Sequence, residues 1–167
     1  PGPWVAPQAR PATAAHAAVG QKRKYTLEPY IIHPDEVARM VAECTSNAEM
    51  IAAAWLHDVI EDTQVTEETI RVEFGGEVAD LVMWLTDISK PIDGNRSIRK
   101  AIDLEHTKKA SPNAKTIKLA DIISNVKSIR DHDPEFAKTY LEEKRAQLAV
   151  LIEGDSKLYE IAKELVQ

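Results

Sequence analysis

Ala52-Ala53-Ala54-Trp55-Leu56-His57-Asp58-Val59-Ile60-Glu61-Asp62-Thr63 is the stretch whose reading decides the fold. From Ala48 to Ile60 almost every residue is apolar, and a helix apolar on all sides belongs in an interior. The same run then places four ionisable side chains between His57 and Asp62. Read as one continuing helix, it puts Glu61 and Asp62 a turn beyond His57 and Asp58, on the same faces. They fall near the helix C-terminus, where the dipole disfavours acids. A buried histidine beside a carboxylate is costly unless both are paired or hold a metal. Such a concentration of broken local rules marks a site.

Helical patterns extend outward on both sides. Upstream, Pro34 suits the first position of a helix and makes His33 its N-cap, with Val37, Met40 and Val41 as the apolar stripe. Ser46-Asn47-Ala48-Glu49 has capping-box spacing and opens the central helix. Downstream, Thr66 caps a short helix ended by Gly75-Gly76, and Val78, Leu81, Val82 and Leu85 line the next, with Trp84 at its edge. Thr86–Asn95 is a loop. Beyond it, Ile98, Ala101 and Ile102 make one helical face, with Arg96, Arg99 and Lys100 opposite. Ser111-Pro112 and Asp133-Pro134 each open a long helix, and Gly154-Asp155 precedes a last one. No stretch alternates as a strand would. The expectation is an all-α chain of about eight or nine helices, with an irregular arm over residues 1–11 and one helical domain over 12–167.

Composition excludes several classes. A net charge of −6 argues against broad nucleic-acid binding. No apolar run is long enough to span a bilayer, and no secretory pattern appears. The single Cys44 rules out an internal disulfide and fits a reducing cytosol. A cytoplasmic protein with a small-molecule substrate is expected. Oligomeric state is not legible.

Four residues are candidate metal ligands: His33, His57, Asp58 and Asp121. Asp121 is the only acid between Ala114 and Ser128, and a lone carboxylate in so apolar a helix needs a partner. Taken singly, each is more often a hydrogen-bonded or ion-paired core residue than a ligand; together they favour a metal. Two imidazoles and two carboxylates suit Mn²⁺, Fe²⁺, Zn²⁺ or Mg²⁺, Mn²⁺ best matching the mixed nitrogen and oxygen set. Two cationic groups, Lys22-Arg23-Lys24 and Arg96/Arg99/Lys100, would suit a phosphorylated substrate, against the plainer reading of solvated surface. His16, His106 and Asp131-His132-Asp133 read as surface, satisfied or capping residues, and Trp55 and Trp84 as packing.

The order His33, His57-Asp58, Asp121 resembles the HD phosphohydrolase superfamily, an all-α, metal-dependent group. Four segments are more specifically similar to the hydrolase domain of the RelA/SpoT enzymes and its stand-alone relatives: Gly20-Gln21-Lys22-Arg23-Lys24, Pro29-Tyr30-Ile31-Ile32-His33-Pro34, Leu56 through Thr63, and Ile117-Lys118-Leu119-Ala120-Asp121. The resemblance covers roughly Thr13 to Arg130. It implies an HD-domain helical bundle that removes the 3′-pyrophosphate from guanosine tetra- or pentaphosphate. It makes His33, His57, Asp58 and Asp121 ligands of Mn²⁺ or another divalent ion. It makes Glu61 and Asp62 the catalytic pair, and Arg23 and Asn125 substrate contacts beside Arg96 and Lys100. The chain departs from the family at Tyr25-Thr26-Leu27-Glu28, which lacks a glycine, at Pro11, and at Ile122-Ile123-Ser124, where a basic residue and then Leu-His or Leu-Tyr are usual. The alternatives are an HD enzyme of another nucleotide specificity and a helical sensor without turnover.

Overall fold

The computed structural model describes residues 32–167. The expected arm at 1–11 and the cationic group Lys22-Arg23-Lys24 lie outside the described residues. Within them, every regular element is helical: α1 (Ile32–Cys44), α2 (Ala48–Leu56), α3 (Val59–Asp62), α4 (Glu67–Phe74), α5 (Gly76–Leu85), a 3₁₀ turn at Pro91–Asp93, α6 (Arg96–Lys108), α7 (Pro112–His132), α8 (Pro134–Ala149) and α9 (Ser156–Leu165). None of these helices is long and apolar enough to cross a membrane.

Local chemistry explains most of the boundaries. Asn47 accepts the amide of Met50, Thr66 that of Thr69, Asn95 that of Ile98, Ser111 that of Ala114, Asp133 that of Phe136 and Asp155 that of Leu158. Each such cap satisfies an amide that the helix cannot, at about 1 kcal/mol. Gly75, at φ 94°, occupies the left-handed region between α4 and α5 where a side chain would be strained. It both ends α4 and precedes α5, so the expected Gly75-Gly76 stop is a hinge-tight junction.

Helix α7 is the axis of the bundle. Ile117, Leu119, Ala120, Ile122, Ile123 and Val126 are all buried, so this helix has almost no polar face. Helices α1, α2, α5, α8 and α9 pack around it. Burying each large aliphatic side chain is worth about 1.5–3 kcal/mol, and that gain carries the charged residues of α7 inside with the rest. Helix α2 contributes Met50, Ala52, Ala53, Ala54, Trp55 and Leu56 to the same core. Its three successive alanines let helices approach closely.

Four expectations need correction. His33 is inside α1, which begins at Ile32, and not its N-cap. The cap of α2 is Asn47, one residue beyond Ser46. The central run is not one helix: α2 stops at Leu56 and α3 restarts at Val59. The reason is local, because His57 Nδ1 donates to the carbonyl of Ala54 at 2.7 Å, claiming the acceptor that a continuous helix offers to residue 58. Glu61 and Asp62 therefore belong to a separate short turn. Finally, α6 does not divide into the two expected faces. Ile98 and Ala101 are exposed, as is Arg96, whereas Ile102, Arg99 and Lys100 are half-buried and Asp103 is buried.

Candidate metal centre

Three helical segments bring the predicted ligands to one point. His33 comes from the first turn of α1, His57 and Asp58 from the break between α2 and α3, and Asp121 from the middle of α7. Their ligating atoms all lie within 4.8 Å of one another. His33 Nε2 is 3.2 Å from His57 Nε2, 2.9 Å from Asp121 Oδ1 and 3.6 Å from Asp58 Oδ2. His57 Nε2 is 3.1 Å from Asp58 Oδ2 and 3.3 Å from Asp121 Oδ1.

The hydrogen bonds behind the rings fix where their protons sit. A carbonyl oxygen only accepts, so His57 Nδ1, facing Ala54 O, carries the proton. Ser124 Oγ donates to Glu36 Oε2, so the hydroxyl receives the proton of His33 Nδ1 at 2.9 Å. Both Nε2 atoms are thereby left with lone pairs directed at two carboxylate oxygens and at each other. Four acceptors cannot satisfy one another, and a cation at their centre is what balances them. A proton is one cation that can serve there. Burial opposes charge on His57, but Asp58 and Asp121 together outweigh it and hold the imidazole well above its ordinary value. Burial would raise both carboxylates; His57 instead holds Asp58 down, and Lys118 with the two histidines holds Asp121 down. The donor set therefore fits a divalent metal ion.

Asp121 is oriented by two donors of its own helix. Lys118 Nζ donates to its Oδ2 at 3.0 Å, and Asn125 Nδ2 donates to its Oδ1 at 3.0 Å, one helical turn to either side. Burial works against the Lys118 ammonium, but Asp121 and then Asp87 hold it charged. Sequence reasoning missed Glu36, Ser124, Lys118 and Asp87. The signal was in the spacing: Glu36, Lys118 and Ser124 each stand three residues from a ligand, which puts them on its side of the helix. The departure at Ile122-Ile123-Ser124 is also part of this support, since Ser124 links His33 to Glu36.

Glu61 lies at the rim and accepts the backbone amide of Asp87. The residue as a whole is exposed, yet the protein around its carboxyl keeps enough water away to push it up to about 7, with the Asp87 carboxylate adding to the rise. The loop holding Asp87 is clipped by Asp103 of α6, whose carboxylate accepts Ile88 N at 3.0 Å, Ser89 N at 2.9 Å and Ser89 Oγ at 2.7 Å. Asp62 ends α3 and is half-buried.

The proposed substrate contacts fall in different places. Asn125 is on the metal centre, hydrogen-bonded to Asp121. Lys100 is half-buried on the inward side of α6. Arg96 is engaged across to α8, with Nε 2.8 Å and a terminal nitrogen 3.0 Å from the two oxygens of Glu143, and stands 5.3 Å over the Phe136 ring. Arg23 is outside the described residues. His106 Nε2 donates to Met83 O at 2.9 Å, and its ring centre lies 5.0 Å from that of Trp84, a satisfied residue as expected.

An all-helical bundle with paired histidines and aspartates from separate helices defines a class, and comparison with known proteins agrees. The model of the HD domain matches residues 9–152, and the chain belongs to that family. It is 30% identical over 155 residues to a probable guanosine-3′,5′-bis(diphosphate) 3′-pyrophosphohydrolase of Mycoplasma pneumoniae, covering 87% of this chain and 21% of that protein. It is 37% identical over 125 residues to the guanosine-3′,5′-bis(diphosphate) 3′-pyrophosphohydrolase MESH1 of Xenopus tropicalis, covering 73% of this chain and 68% of that protein. A solved structure described as a metazoan ortholog of SpoT that hydrolyzes ppGpp superposes with a TM-score of 0.84 at 26% identity, covering 98% of this chain and 96% of that one. The chain spans about a fifth of the length of the Mycoplasma relative and 18% of that from Aquifex aeolicus.

Proposed function

We propose that this protein is a cytoplasmic, metal-dependent pyrophosphohydrolase that removes the 3′-pyrophosphate from guanosine tetra- or pentaphosphate. The observation that carries the reading is the convergence of His33, His57, Asp58 and Asp121 with their lone pairs inward. The names of the relatives supply the substrate. Mn²⁺ is the proposed ion, because the donors are two imidazoles and two carboxylates. When bound, such an ion supplies Lewis acidity toward a phosphoryl group.

The chain's own residues do the remaining work. In the reaction, a water oxygen bonds to the phosphorus nearest the ribose, the bond from that phosphorus to the 3′-oxygen breaks, and the 3′-oxygen gains a proton. Glu61, with a carboxyl at about 7, exists in both protonation states near neutrality and suits either proton transfer. Asp62 is its proposed companion. Lys118 holds Asp121 in place and charged. Lys100, Asn125 and Arg23 are the proposed substrate contacts. Arg96 joins them only by leaving Glu143.

Ion chromatography of the products tests the reading. With Mn²⁺ and guanosine tetraphosphate, the expected products are guanosine diphosphate and pyrophosphate. Release of single phosphates, or turnover confined to nucleoside monophosphates, would assign the chain to another specificity within the HD family. Binding without any product would make it a sensor.

A further inference from the structure

Helix α8 buries a lysine that the metal centre does not use. Lys144 is only 7% exposed. Its Nζ donates to Gln147 Oε1 at 3.1 Å and lies 4.8 Å from the centre of the Tyr140 ring. No carboxylate among the described residues pairs with it. The acids whose charge acts on it are Asp121 and Glu143. Asp121 already accepts from Lys118 and Asn125, and Glu143 from the Nε and one terminal nitrogen of Arg96. Two further cations, Lys118 of α7 and Lys100 of α6, act against it. A buried ammonium repelled by two other cations, without an anion of its own, is a costly arrangement.

A second observation lies on the opposite side of the same seam. Arg96 reaches Glu143, so this face of α6 looks toward α8. Arg99 and Lys100 follow Arg96 at three and four positions and share that face. The Nε of Arg99 is buried and has no hydrogen-bond partner. Burying such a donor unsatisfied is unfavourable. Two neighbouring helices therefore carry buried cationic donors, and neither donor has an anion among the described residues.

We propose that Lys144 and Arg99, together with Lys100, form an anion subsite distinct from the metal ligands, which takes the second phosphate cluster of a bis-phosphorylated nucleotide. The inference rests on the reading of the protein as a nucleotide pyrophosphohydrolase. That substrate carries two separated diphosphates. One must lie at the metal ligands to be cleaved, and the other needs its own cations. Lys144 is then a specificity-determining residue for the group that does not react. Burial, followed by the neighbouring Lys118 cation, holds its amine down to about 7 when no anion is present. A bound phosphate supplies the missing countercharge.

The test uses the metal-loaded protein and two substrates that share the 3′-diphosphate: one with a 5′-diphosphate, the other with a 5′-monophosphate. Lys144→Met should lower the preference for the 5′-diphosphate, expressed as a ratio of kcat/KM values, by about tenfold or more, the scale of one hydrogen bond to a charged group. The change should reside in KM, and Lys144→Arg should restore much of the preference. Equal losses on both substrates would overturn the proposal. A measurement independent of turnover is calorimetric binding of guanosine 5′-diphosphate, with thermal melts confirming folded variants. Lys144→Met should weaken Kd by about tenfold. An unchanged Kd overturns the subsite. If the parent protein hydrolyses neither substrate but this difference in Kd persists, the hydrolase reading fails and the anion subsite stands.

Discussion

Helix α7 buries charge at two places, and they are built in opposite ways. At Lys115, 2% exposed, a single ammonium reaches Glu153 at 2.8 Å, and the glutamate side chain is 66% exposed. The pair closes on itself: one cation meets one anion, and the anion keeps its water. Nearby, Thr116 Oγ1 accepts the amide of Asp155, and Gly154 passes so close to α7 that a Cβ there would meet the Lys115 carbonyl carbon at 3.2 Å. Six residues along, Asp121 joins a cluster whose members are all acceptors toward a common centre. A structural charge acquires one partner and stops. The other cluster accumulates groups that repel one another, holds them with a shell of donors behind, and is complete only with a cation. That contrast separates an anchoring ion pair from a site more clearly than burial does, since both charges of α7 are buried.

The largest effect should come from removing an anionic ligand. Asp121→Asn or Asp58→Asn is expected to lose both metal, read by elemental analysis, and activity. The loss in kcat should be about 10³-fold or more, since a metal contributes several kcal/mol of charge stabilisation. A variant that keeps metal and turnover would reduce the cluster to an internal salt bridge like that of Lys115.

Glu61→Gln should separate proton handling from metal binding. Metal content is expected to stay at the parent level while kcat falls by about 10²–10⁴-fold. Stability gives a second reading. The Glu61 carboxyl stands at about 7 against an ordinary 4.5. Between these values the folded chain keeps a proton that the unfolded chain has released, so its contribution to stability falls as pH rises from about 4.5 to about 7. Glu61→Gln removes that dependence. Its melting temperature relative to the parent should be higher at pH 8 than at pH 5, and a pH-independent difference would contradict the raised carboxyl.

Lys115→Met should have the smallest effect. Glu153 remains in water, so no buried charge is stranded, and the stability change in urea unfolding should stay within about 1 kcal/mol. Metal content and turnover should match the parent. A loss of metal would show that the two charged regions of α7 are coupled and would break the comparison.

The helices were legible because their signals are local. Ser111-Pro112 and Asp133-Pro134 announce helix starts, Thr66 announces a cap, and the apolar run through Ala53 and Trp55 announces an interior. The four proposed ligands were legible as a group for a related reason: a histidine or carboxylate set in an apolar helix contradicts its surroundings, and that contradiction is visible in one dimension. The failures are equally physical. The break at His57-Asp58 depends on a side chain taking a backbone acceptor, which no propensity records. On α6, Ile98 is left exposed because Asp103 is drawn in to hold the Ile88–Ser89 amides and Arg96 is drawn across to Glu143. Periodicity shows that a helix has two faces but cannot say which one its neighbours will pull inward.

By itself, then, the sequence determined an all-α chain and the identities of His33, His57, Asp58 and Asp121, since a charged residue inside an apolar segment has few physical reasons to be there. Only the tertiary structure decided how they are supported and what surrounds them. The Ser124–Glu36 link behind His33, the elevation of Glu61 beside Asp87, and the repulsion that Lys118 and Lys100 exert on Lys144 all join residues distant in the chain. The physical reason is range: helix caps and periodicity act over about a turn, whereas the electrostatic character of a buried group is set by whichever charges packing brings within a few ångströms of it.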